Sequence, residues 1–229
     1  MTLTSKTRQI QQWAGVTADG VYGPRTADAI IAKAGIGHNG PPTTTITERI
    51  MLEILEHEGI VLEAYKDSVN VWTWGAGVTS KSGHSVMRYV DRPQTMRRVL
   101  EVYEWLLRTK YLPGVLEAFG SMQLTEAQLG AALSFHWNTG AIGEASWVKS
   151  VKAGRTDQAH TEFLNWSKPK EIIPRRKLER ALFFDGTWSS DGLVTVYQRV
   201  RKPSYTPEWS SAKQVDIRDD LRAVVAAAG

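Results

Sequence analysis

Residues 55–79 read LEHEGIVLEAYKDSVNVWTWGAGVT, and this stretch decides how the chain folds. It places Glu58, Asp67 and Thr73 within one short span, among Gly59, Gly75, Gly77 and two tryptophans, Trp72 and Trp74. Upstream, Ile46, Ile50, Met51, Ile54 and Leu55 recur at helical spacing, so an apolar stripe runs up to Glu58. Glu58 continues that stripe, three residues after Leu55 and four after Ile54, and Gly59 supplies a stop. From residue 60 the pattern changes to short alternation broken by Gly, Asn and Asp, which predicts a small hairpin or sheet.

Outward from this stretch the signals are helical. Thr45-Ile-Thr-Glu48 fits a capping box, so the helix before Glu58 is predicted to open at Thr45. Met96, Val99, Leu100, Tyr103, Leu106 and Leu107 mark a long amphipathic helix from about Asp91 to Tyr111. Thr125-Glu-Ala-Gln128 is a second capping box, opening a helix through Leu129, Leu133 and Trp137 that ends near Gly140. Shorter helices are predicted over 144–153, 156–166 and 175–185, with Pro174 where a helix start tolerates it. From Ser189 the composition shifts: LVTVYQRVRK reads as a strand, followed by turns and a terminal helix over 216–228. The fold class is therefore α+β, a mostly helical lobe beside a small β-sheet lobe.

The bulk numbers bound the function. The 229 residues suffice for one ordinary domain and a small module. Hydrophobic content of 42% and charge of 23% are those of a soluble globular chain. The net charge of +4 points mildly to an anionic partner: nucleic acid, a membrane surface or an anionic polymer. Nine tryptophans are an unusual surplus; such rings are mostly core, and sugar clefts also use them as stacking faces. With no cysteine, disulfides and Cys-ligated metals are excluded. The N-terminus has no apolar signal segment and no run of apolar residues spans a membrane, so the expected product stays soluble in the cytoplasm that makes it.

The chemistry follows from the carboxylates. Burial on an apolar stripe raises the pKa of Glu58, as a general acid requires near neutral pH. Asp67 lies nine residues on in a polar turn, where it stays ionised. Two carboxylates whose surroundings push their pKa values apart are the pattern of glycosidic-bond cleavage. Thr73 stands near Asp67 on the following strand, with a hydroxyl able to hold a water. Taken singly, each residue has a plainer reading: a solvated helix-end Glu, a turn-forming Asp, a strand Thr. His57, just before Glu58, reads as an exposed helix-end residue, with a second titrating group at the site as the alternative. Trp72 and Trp74, at alternate positions, both face away from Thr73; core is the plainer reading for each, and a sugar subsite the functional one.

Glu58-Gly59-x-x-Leu62-x-Ala64-Tyr65-x-Asp67, then Val71-Trp72-Thr73-x-Gly75-x-Gly77-x-Thr79, resembles the catalytic signature of phage-type lysozymes, glycoside hydrolase family 24. Leu133, Ser134, Phe135, Asn138 and Gly140 match a second block, and Arg175, Arg176, Glu179, Arg180, Leu182 and Phe183 a third. The resemblance covers residues 45–188 and implies a lysozyme-like fold. It implies Glu58 as general acid, Asp67 as base, Thr73 as the residue that places water, and inversion at the sugar carbon. The implied bond is the β-1,4 link between N-acetylmuramic acid and N-acetylglucosamine. Asn138 matches a polar cleft position, and either Arg175 or Arg176 would pair with Glu58. With Trp72 and Trp74 these are the candidate substrate-binding residues. No metal or cofactor is implied.

QQWAGVTADGVYGPRTADAI, residues 11–30, resembles the repeat of peptidoglycan-binding modules. The alternative is a small helical cap packed on the main domain. The expected organisation is a helical module over 1–36 whose second helix spans 26–34 up to Gly35, a linker over 37–44, a catalytic domain over 45–188, and a strand-and-helix extension over 189–229. Together these imply a modular endolysin: a monomer released through a holin, acting on peptidoglycan rather than nucleic acid and not inserted in the membrane. Lys168, Lys170, Arg175, Arg176, Lys177 and Arg180 would offer a basic face to the wall's carboxylates. Two other activities stay open. One is lytic transglycosylation, which needs no activated water and so no Asp67–Thr73 pair. The other is a non-catalytic wall-binding protein that keeps the fold.

Overall fold

The computed structural model describes residues 2–23, 26–27, 29–30 and 40–228. The expected helix over 26–34, its Gly35 stop and the linker over 37–44 lie wholly or partly outside these residues. Helix α1 (Leu3–Ala14) is capped by Thr2, whose hydroxyl accepts from Ser5 N, and by Gly15 in the left-handed region. Ile10 and Trp13, three apart on this helix, are exposed; Thr7 and Gln11 are the buried residues. The Gln11 amide organises the turn that follows. It donates to Asp19 Oδ1 (2.7 Å), Val21 O (3.0 Å) and Thr26 Oγ1 (2.9 Å), and accepts from Gly20 N (2.8 Å).

Helix α2 (Glu48–Glu56) starts two residues later than the Thr45 capping box predicts. Thr47 is the N-cap, accepting from Ile50 N, and its hydroxyl donates to Glu126 on a distant helix. That tertiary bond selects Thr47 over the local pattern. Ile50, Met51, Ile54 and Leu55 are fully buried, as their spacing requires. The helix ends at Glu56, so Glu58 sits just beyond it in a turn held by its own N–H to Leu55 O (3.0 Å).

Strands β1 (Ile60–Lys66), β2 (Trp72–Gly75) and β3 (Val78–Thr79) form the expected antiparallel ribbon. Helix α3 (Met96–Leu106) then runs through a π-helical turn, Leu107–Tyr111, into α4 (Leu112–Phe119). The helical run thus continues past Tyr111, because Pro113 falls in the first turn of α4, where no intrahelical N–H is missing. Helix α5 (Glu126–Thr139) has the predicted capping box, with both reciprocal bonds between Thr125 and Gln128, and stops at Gly140 with φ 68°. It is the buried axis of the helical lobe. Around it lie α6 (Ser146–Lys152), α7 (Thr156–Phe163) and α8 (Ile173–Asp185). Phe119, Phe135, Trp147, Phe163 and Phe183 fill the space between them with ring-to-ring contacts.

The last residues are built into the fold. Strand β4 (Leu193–Tyr197) pairs parallel with β1, and β7 (Ala212–Asp216) pairs antiparallel with β4, giving one five-stranded sheet of order β3-β2-β1-β4-β7. Between them, β5 (Val200–Arg201) and β6 (Thr206–Pro207) make a separate two-stranded hairpin. Val194 and Val196, and Ile217, Leu221 and Val224 at and within α9 (Arg218–Ala228), belong to the same core as α2 and α3. The junction is fixed by Glu53, a buried carboxylate on α2. It accepts from Ser189 N, Ser189 Oγ (2.8 Å) and Ser190 N (3.0 Å). No described helix is long and apolar enough to cross a membrane.

Candidate active site

Glu58 lies where α2 gives way to β1, so the helical core sits on one side of it and the ribbon on the other. Its side chain keeps 17% exposure. Arg175 Nη1 donates to Glu58 Oε1 at 2.6 Å. Burial raises the Glu58 pKa; the Arg175 charge and hydrogen bond pull the other way but do not win. The other oxygen, Oε2, faces the β2–β3 turn, where a Cβ on Gly77 would lie 3.4 Å from it. Gly77 has φ 79°, so this turn approaches the carboxyl with bare backbone.

Arg175 is itself held on all sides. Its Nε donates to Glu179 Oε1 (2.8 Å), and Nη2 to Ser134 O (3.1 Å) and Ser134 Oγ (3.2 Å). Ser134 Oγ donates to Glu179 Oε1 (2.6 Å). Arg175 therefore comes from α8 at a fixed angle, with Glu179 one turn on and Ser134 on α5 as its supports. Arg176 pairs with Glu179 and Asn138 and lies 4.9 Å from the centre of the Phe135 ring. The choice the sequence left open is settled: Arg175 contacts Glu58 and Arg176 does not.

Asp67 opens the β1–β2 loop. Its Oδ1 accepts from Val71 N (2.8 Å) and Val69 N (3.0 Å), while its own N–H bonds Val71 O (3.0 Å). Asn70, at φ 63°, makes the turn possible. Thr73 Oγ1 lies 3.4 Å from Asp67 Oδ2 and 3.1 Å from Val71 O, either of which can accept its one proton. The carboxylate is thus fixed through one oxygen by backbone amides, and Thr73 addresses the other.

A crevice of about 110 Å³ is lined by Gly77, Val78, Thr79, Lys81 and Ser82 from the ribbon and Leu106, Lys110, Tyr111 and Trp137 from the helices, and Gly77 is the residue it shares with the Glu58 surroundings. Lys110 Nζ donates across it to Lys81 O (3.0 Å). The π turn presents Lys110 and Tyr111 here, an irregularity often found at functional sites. Tyr111 and Trp137 rings meet at 4.7 Å.

Several candidates move. Trp74 has no exposed surface; its Nε1 donates to Leu62 O (3.0 Å) and its ring stacks on Tyr89 at 4.1 Å. It is a core residue and offers no face to a ligand. Arg176, also fully enclosed, supports Asn138 instead of touching substrate. Arg175 and Arg176 turn inward, so they leave the basic face to exposed Lys168, Lys170 and Lys177 and half-buried Arg180. Asn138 is exposed at the end of α5, and Trp72 is half-buried with its ring edge-on to Tyr205 at 4.9 Å. His57 is not an exposed helix-end residue: its Nε2 is buried, and burial with the Arg175 and Arg176 charges holds its pKa down at about 4. Glu179 went without a role in the sequence, although its spacing from Arg175, four along one helix, marks an ion pair. Tyr111 was legible only as the end of a helix, and Trp137 only as part of a helical stripe. Among the described residues no cluster of three or more His, Asp or Glu side chains is arranged to hold a metal.

Comparison with known proteins places this geometry. The phage lysozyme family model matches residues 55–179, more than half of the chain. The endolysin of Acyrthosiphon pisum secondary endosymbiont phage 1 is 28% identical over 150 residues, covering 60% of this chain and 97% of that protein. The endolysin of Salmonella phage P22 is 26% identical over 147 residues, with the same coverage. A crystal structure of a P22 lysozyme mutant superposes with a TM-score of 0.52 at 27% identity, covering 61% of this chain and 97% of that one. An endolysin from Escherichia coli O157:H7 phage FAHEc1 shares the fold at a TM-score of 0.52 and 19% identity, over 66% of this chain and 99% of that one. The chain belongs to the phage lysozyme family and is a lysozyme-type glycoside hydrolase, a peptidoglycan hydrolase.

Proposed function

We propose that the enzyme is a muramidase that hydrolyses the β-1,4 bond between N-acetylmuramic acid and N-acetylglucosamine. Glu58 is the general acid. Burial raises its pKa and so favours the proton-bearing form, and with Arg175 on Oε1 the oxygen left to carry the proton is Oε2, beside Gly77. That proton goes to the glycosidic oxygen as the bond to the sugar carbon breaks. Asp67 is the base: held through Oδ1, it uses Oδ2 to take a proton from the attacking water, which Thr73 Oγ1 orients. Water supplies the new bond to carbon, so no cofactor or metal enters. Inversion is the expected outcome.

The observation that carries this reading is the contrast between the two carboxyls. One is enclosed and against a guanidinium, with its pKa raised; the other sits in a net of backbone N–H groups with a hydroxyl beside it. A lytic transglycosylase would leave Asp67 and Thr73 without a task, and a wall-binding protein would leave the Glu58–Arg175 pair without one. Residues 1–36 serve as a wall-binding module, the domain over 45–188 is catalytic, and Asn138 and Trp72 flank the substrate. The chain works as a monomer, is made in the host bacterial cytoplasm, reaches the wall through a holin, and lyses the host.

The test is clearing of bacterial wall suspensions by Glu58→Gln and Asp67→Asn, each confirmed folded by its melting curve. Loss of clearing in both supports the assignment. Clearing by Glu58→Gln at the parent rate would remove Glu58 as the acid.

A further inference from the structure

The family match ends at residue 179, yet the segment beyond it touches the chain on both carboxylate arms. Tyr197 on β4 lies over Gly59, next to Glu58, so closely that a Cβ on Gly59 would fall 2.7 Å from its ring. The β5–β6 hairpin does more on the other arm. Lys66 N donates to Tyr205 O at 2.7 Å, and the Tyr205 ring meets Trp72 edge-on at 4.9 Å. Lys66 and Trp72 are the last paired residues of β1 and β2, and Tyr65 and Thr73 the pair before them. Tyr205 therefore grips both strands at the base of the loop that begins with Asp67.

The grip is anchored from behind. Tyr205 holds φ 58°, a conformation a tyrosine adopts only when its surroundings impose it. Its hydroxyl donates to Asp91 Oδ2 (3.0 Å), and Lys202 Nζ lies 4.1 Å from its ring centre while pairing with Glu63 and Asp91. Asp91 N in turn donates to Glu63 Oε1 (3.0 Å), and Glu63 is on β1. The hairpin is thus tied to the same strand at two points, Glu63 and Lys66.

We propose that Tyr205 is a positioning residue for Asp67 and Thr73, so that the C-terminal segment forms part of the catalytic apparatus. The inference rests on the roles proposed for Asp67 and Thr73. A misplacement of about 1 Å at a reacting group costs up to roughly 100-fold in rate, which sets the scale of the effect.

The test uses the full chain and soluble glycan strands prepared from peptidoglycan, with kcat and KM measured separately. Tyr205→Gly keeps the left-handed backbone accessible and removes the ring and hydroxyl. It should lower kcat roughly 10–100-fold with KM within about 2-fold. Tyr205→Phe keeps the ring on Trp72 and should recover most of kcat. Lys202→Met, which cuts the hairpin's tie to Glu63 and Asp91, should repeat the kcat-only loss and serves if Tyr205→Gly does not fold. In an Asp67→Asn background, Tyr205→Gly should cost nothing further, because it acts through Asp67. Unchanged kcat, a loss carried by KM, or an additive loss on Asp67→Asn would each overturn the proposal. Full activity of Asp67→Asn alone would instead overturn the assignment of the base.

Discussion

Gly59→Ala is a one-carbon change whose cost can be worked from the coordinates. The new Cβ would stand 2.7 Å from Tyr197 Cε2 and 3.4 Å from Cδ2. Carbon atoms rest at about 3.5–4.0 Å, so the ring would have to retreat by roughly 1 Å. It has little room: the Tyr197 backbone is paired with Val61 on one side and Ala212 on the other, and its ring meets Trp209 at 5.1 Å. Overpacking of this kind costs about 1–3 kcal/mol. Gly59 has no left-handed backbone to protect, so with the ring gone the alanine should stabilise by about 0.4–1 kcal/mol through the unfolded chain. The assay is a double-mutant cycle by urea denaturation: parent, Gly59→Ala, Tyr197→Ala and both. The expected coupling is about 1.5 kcal/mol or more, with the sign of Gly59→Ala reversing in the Tyr197→Ala background. Equal cost of Gly59→Ala in the two backgrounds would refute the contact. Because Gly59 follows Glu58, wall clearing should fall in Gly59→Ala and recover in the double variant.

Three further outcomes follow from the charges. The raised pKa of Glu58 means that folded protein holds this proton more tightly than unfolded chain, so its stability contribution is intact below about pH 4 and lost as pH rises through the folded value. Glu58→Gln should therefore be inactive yet melt higher than the parent at neutral pH, with the difference vanishing in acid. Arg175→Met strips a buried cation from Glu58 and Glu179, which should cost about 3–5 kcal/mol in denaturant unfolding. It also removes the charge that lowers the Glu58 pKa, so the alkaline limb of any residual activity should move to higher pH. Glu53→Gln turns an acceptor toward the Ser189 and Ser190 N–H groups into a donor and should cost about 2–4 kcal/mol; a neutral result would mean that these bonds do not hold the C-terminal segment.

What was legible in the sequence was what depends on neighbours in the chain. The spacing from Ile50 to Leu55 announced the buried face that brings Glu58 to an enclosed turn, and the capping box at Thr125 fixed the start of α5. Asp67 read correctly as a turn former because Asx turns are local, and its bonds to Val69 and Val71 are within four residues. Long-range partners were not legible. Thr45 satisfied a capping pattern as well as Thr47 did, and only the bond to Glu126 separates them. Arg175 and Arg176 are adjacent on one helix, and which of them reaches Glu58 depends on how α8 is rotated against α5. Trp72 and Trp74 alternate alike along one strand, yet one is an edge against Tyr205 and the other is core. The strand LVTVY was readable as a strand, but nothing in it names β1, more than a hundred residues earlier, as its parallel partner.

The central claim is that water activated at Asp67, with Glu58 protonating the leaving oxygen, breaks the muramic acid link. It is tested most directly by mass analysis of the fragments released from purified peptidoglycan in heavy-oxygen water. The account predicts reducing muramic acid ends that each carry one labelled oxygen, formed by the parent enzyme and absent with Glu58→Gln. Unlabelled anhydro-muramic ends would contradict it, since they require ring closure by the sugar itself and leave Asp67 and Thr73 without a role.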